Sequence, residues 1–91
     1  MAEILPGVDL IKTGLHDLNA GRETVEAFLV AVGAPRLRDL GLDLPAVLPS
    51  NPEHRLYERL VEIDPEAAYT EYNALIRRLV SYERAAECVK P

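Results

Sequence analysis

The side chains in this chain best suited to chemistry are two histidines and a single cysteine. His54, Glu58 and Glu62 follow one another at steps of four, so on a helix they form one row that offers a nitrogen and two carboxylates to a divalent metal. At about 100° per residue, that row falls nearly opposite the stripe made by Leu56, Leu60 and Ile63. It therefore faces water and lacks the enclosing groups that metal sites use. It reads as a solvated helix face, and no cofactor is assigned. His16 and Asp17 are adjacent, and neighbouring helical side chains diverge by about 100°, a poor placement for a base and the group that orients it. His16 reads as a surface residue, and Cys88 as a small packing residue near the end of the last helix. The chain contains no Gly-rich phosphate loop, Cys/His metal spacing or Ser-centred nucleophile turn. A small hydrolase or nuclease using His16 or His54 as its base is thus the last of three readings.

The formal charge of −5 opposes non-specific attraction to nucleic acid and to anionic membranes. A protein partner suits it better. The longest apolar run, Ala27 to Val32, is far short of the roughly 20 residues of a membrane span. The opening residues combine an early acid with a Pro-Gly break, unlike a signal peptide. The expectation is a cytoplasmic protein without a membrane partner, and a lone cysteine does not imply an oxidising compartment.

Helical punctuation divides the 91 residues into five segments, and none has the alternation of a half-buried strand. The fold class expected is all-α: a small single-domain bundle of about five helices, residues 1–91, with a long C-terminal helix. Val8, Ile11, Leu15 and Leu18 place one face of the first helix inward, and Gly21 ends it. Gly14 inside that helix costs about 1 kcal/mol in propensity, which points to another helix passing close by. The second helix is expected over Glu23 to Val32, with Val25, Phe28, Leu29 and Val32 inward, and the third from Pro35 to Gly41. Leu42 to Ser50 reads as an irregular connection lying on the core through Leu44, Val47 and Leu48. Asn51-Pro52-Glu53 and Asp64-Pro65-Glu66 repeat one start signal, with Asn51 and Asp64 as the capping side chains of helices four and five. Helix four should face Leu56, Leu60 and Ile63 inward, and helix five should run from Pro65 to about Lys90.

Thr24 to Gly41 has the outline of a helix-turn-helix, with Arg36 and Arg38 as the nucleic-acid candidates. Two arginines on an acidic chain supply few phosphate contacts, so a small DNA-binding regulator is the second reading and nucleic acid is not the expected partner. Tyr57, Tyr69, Tyr72 and Tyr82 sit at or beside the inward stripes, as pocket lining or as core and interface residues. Glu83 projects onto the apolar side of helix five, where a carboxylate either needs a partner such as Arg36, Arg38 or an arginine of another subunit, or sits at the edge of the stripe and reaches out to water.

From Pro65 to Lys90 the last helix would extend about 39 Å, against a diameter of roughly 31 Å for a compact domain of this length. Its seam of alternating fours and threes runs the whole way. Tyr72, Leu75, Leu79, Tyr82, Glu83, Ala86 and Val89 are therefore the interface candidates, and a homodimer or higher oligomer is expected to cover what one core does not reach. The first reading is accordingly a protein-interaction module without catalytic activity, self-associating through its C-terminal helix and open to docking on another protein.

Overall fold

The computed structural model describes residues 5–89. The helix end expected at about Lys90 falls outside them. The described chain is all-helical: α1 Val8–Asn19, α2 Val25–Val32, α3 Ala34–Asp39, α4 Pro52–Ile63 and α5 Ala68–Val89. Among the described residues, no helix is long and apolar enough to cross a membrane.

α2 is the hub. Its residues Ala27, Phe28, Leu29, Val30 and Ala31 are all buried, so it is enclosed by the other helices rather than laid on them by one stripe. The one-face expectation was therefore too narrow. Val25 and Val32 are only half-buried, because they stand at the ends of the enclosed segment. α1 and α4 pack against α2, and α5 packs mainly on α4. Gly14 makes the α1–α2 contact possible, since a Cβ there would stand 2.5 Å from Val30 Cγ2 and closer still to the Glu26 carbonyl oxygen. The close approach read from Gly14 is present.

Local signals explain most helix ends. α1 ends on Gly21 at φ 77°, with the Arg22 N–H donating to the Asp17 carbonyl and the Gly21 N–H to that of Leu18. Gly41, at φ 95°, closes α3 in the same way, using the carbonyls of Leu37 and Arg38. α2 begins two residues later than expected, because Thr24 rather than a residue before Glu23 takes the cap and accepts from the Ala27 N–H at 3.1 Å.

The two proline starts behave differently. Asp64 accepts from the Glu66 and Ala67 N–H groups at 3.1 and 3.4 Å, but they belong to a turn, and α5 begins only at Ala68. Asn51 makes no side-chain cap bond; it sits at φ 50°, ψ 54°, where its contribution is tolerance of a left-handed backbone. Ile63 is exposed rather than inward, because α4 ends there and the chain turns away from the core. In the connection before α4, Leu42, Leu44 and Leu48 pack on the core, while Val47 points out.

Candidate functional site

The two buried carboxylates among the described residues are Asp17 and Glu83, and both have partners within the chain. Asp17 faces the α1–α2 corner. Its carboxylate accepts from Thr24 Oγ1 at 2.8 Å and pairs with Arg22 at 3.5 Å, while Thr24 Oγ1 accepts from the first turn of α2. One carboxylate thus ties the end of α1 to the start of α2. Sequence reasoning weighed Asp17 only as a companion of His16; the overlooked signal was its position three residues after Gly14, on the side where α2 approaches. His16 itself is exposed.

Glu83 is 5% exposed and lies between α5 and the α2–α3 corner. Its partner is Arg36, with a guanidinium nitrogen 3.8 Å from Oε1, so the pair read from the sequence is intramolecular. Arg36 also donates to Glu87 on the next turn of α5. Burial pushes the Glu83 carboxyl above its ordinary range, partly offset by Arg36 and reinforced by the negative charge of Glu87. The missing side chain of Gly33 makes room for the carboxylate, since a Cβ there would lie 2.9 Å from Glu83 Oε2.

These contacts also locate the nucleic-acid candidates. Arg36 is engaged by two glutamates, and Arg38 donates to the Pro45 carbonyl at 2.8 Å. The helix carrying them has six residues. His54 stands 3.6 Å from Glu58 with both side chains exposed, and among the described residues no group of three or more His, Cys, Asp or Glu is placed to hold a metal.

The interface candidates on α5 separate into two groups. Leu75, Leu79, Tyr82 and Glu83 are buried by the chain's own helices. Tyr72 and Ala86 are half-buried, and Val89 is 53% exposed. The long helix is accommodated by an elongated molecule of 41 × 27 × 20 Å, which leaves mainly the last turn of the seam uncovered. Leu79→Glu and Tyr82→Glu would consequently disrupt the core and report on folding, not on association.

An aromatic surface lies between α4 and α5. Tyr57 and Tyr72 meet edge to face, with ring centroids 5.9 Å apart and planes at 75°. Tyr69, 70% exposed, joins them to line an open groove of roughly 390 Å³ that Glu53 and His54 complete. Tyr82 is elsewhere, in the core. The site can offer ring faces, hydroxyl groups and a carboxylate to a partner. Comparison of the chain with family models, with curated proteins and with solved structures finds no match in any of the three.

Proposed function

We propose that the chain is a protein-interaction module without catalytic activity, which self-associates through its C-terminal helix. The observation that carries this reading is the end of the α5 seam, where Ala86 is still half-buried against the core and Val89 beyond it is exposed. An apolar face left in water is unfavourable by about 25 cal/mol per Å², and a second copy laid against it removes that penalty. The engagement of Asp17 and Glu83 in holding helices together supports a structural rather than a chemical use of the buried carboxylates.

Sedimentation velocity over a dilution series tests the proposal. The expected result is a mass above the monomer that falls on dilution and is lowered by Val89→Glu, a substitution at an exposed position. A monomer mass at every concentration would overturn self-association.

A further inference from the structure

We infer that the tyrosine groove between α4 and α5 takes an arginine side chain from a basic segment of a partner protein. This rests on the reading of the chain as a protein-interaction module and names the chemistry of its partner. Three tyrosines, Tyr57, Tyr69 and Tyr72, line the groove, and the Tyr57 and Tyr72 rings stand nearly perpendicular. Ring faces attract a cation through their quadrupole. Glu53 at the rim has no basic partner among the described residues, and His54 beside it is turned to Glu58. The groove therefore combines cation-attracting rings with an unused carboxylate, on a chain of net charge −5. An acidic or phosphorylated partner would meet repulsion there.

Arginine suits an open groove better than lysine. Its guanidinium is planar, weakly hydrated, stacks on aromatic faces and forks onto a carboxylate, whereas an ammonium would have to shed a tightly held hydration shell. The same chemistry operates elsewhere on α4, where the Arg55 and Arg59 guanidinium carbons lie 5.3 and 6.0 Å from the Phe28 ring centroid. Among the described residues, no arginine lines the tyrosine groove.

The test is an NMR titration of the full chain with a capped Gly-Arg-Gly-Arg-Gly peptide, and with the same peptide carrying neutral citrulline in place of arginine. The arginine peptide should shift the ring resonances of Tyr57, Tyr69 and Tyr72, and the citrulline peptide should not. Tyr69→Ala, at an exposed position, should weaken binding roughly two- to fivefold, Tyr69→Phe should retain it, and Glu53→Gln should weaken it. Equal binding of the citrulline peptide, shifts confined to other residues, or no shifts at millimolar peptide would overturn the inference. Absence of peptide binding in a chain that still self-associates removes the arginine assignment alone, and a monomer that still binds the peptide removes self-association alone.

Discussion

Gly14 of α1 lies directly against the backbone of Glu26 in α2, with no room between them for even a methyl group. The obstruction is main chain, which cannot swing aside as the end of a side chain can. Gly14→Ala should gain about 1 kcal/mol in helix propensity yet lose more to overpacking, which typically costs about 1–3 kcal/mol. A lowered denaturant midpoint is expected. A raised midpoint would mean that α1 and α2 are farther apart than described.

The Asp17–Thr24 contact joins α1 to the N-cap of α2. Thr24→Ala removes both the cap of α2 and a hydrogen bond to a buried carboxylate, for a combined loss of about 1–3 kcal/mol. A double-mutant cycle with Asp17→Asn should show coupling between the two positions. Strict additivity would place them in independent roles.

Asn51 and Asp64 occupy similar sequence contexts but should respond to substitution for different physical reasons. Asp64→Ala should cost about 1 kcal/mol through loss of its hydrogen bonds to the Glu66 and Ala67 N–H groups in the turn before α5. At Asn51 the determinant is positive φ, so Asn51→Gly should be neutral or stabilising, while Asn51→Ser, a good capping residue, should destabilise by about 1 kcal/mol. Equal stability of the Ser variant and the parent would restore the capping role read from the sequence.

Glu83 gives a pH dependence whose sign follows from its raised carboxyl pKa. The folded chain binds this proton more tightly than the unfolded chain, so the contribution of Glu83 is most favourable below the ordinary value of 4.5 and is lost as pH rises through the folded-state value. Glu83→Gln, which keeps the shape of the protonated side chain, should therefore gain stability relative to the parent as pH rises from acid to neutral. Thermal melts of the two proteins across that range provide the check. A relative gain in the opposite direction would show that Arg36 outweighs burial.

The number and order of the helices were legible in the sequence because their punctuation is local. Gly21 and Gly41 end helices by adopting a left-handed backbone, and Pro52 starts one because its missing N–H needs no partner. The meaning of Gly14 was also legible, since a propensity penalty inside a helix calls for a contact that repays it. The sequence by itself thus determined an all-helical chain of five elements and placed Glu83 on the apolar side of the last helix, while its burial came from the tertiary structure. Tertiary structure decided which arginine pairs with it, by folding the α2–α3 corner onto α5 so that Arg36 reaches both Glu83 and Glu87. It also decided that Leu75, Leu79 and Tyr82 belong to the core, because a seam of threes and fours is the same whether the helix covering it comes from one's own chain or another. The tyrosine groove arose the same way. Tyr57 and Tyr72 lie on different helices, and only the packing of α5 against α4 brings their rings into contact.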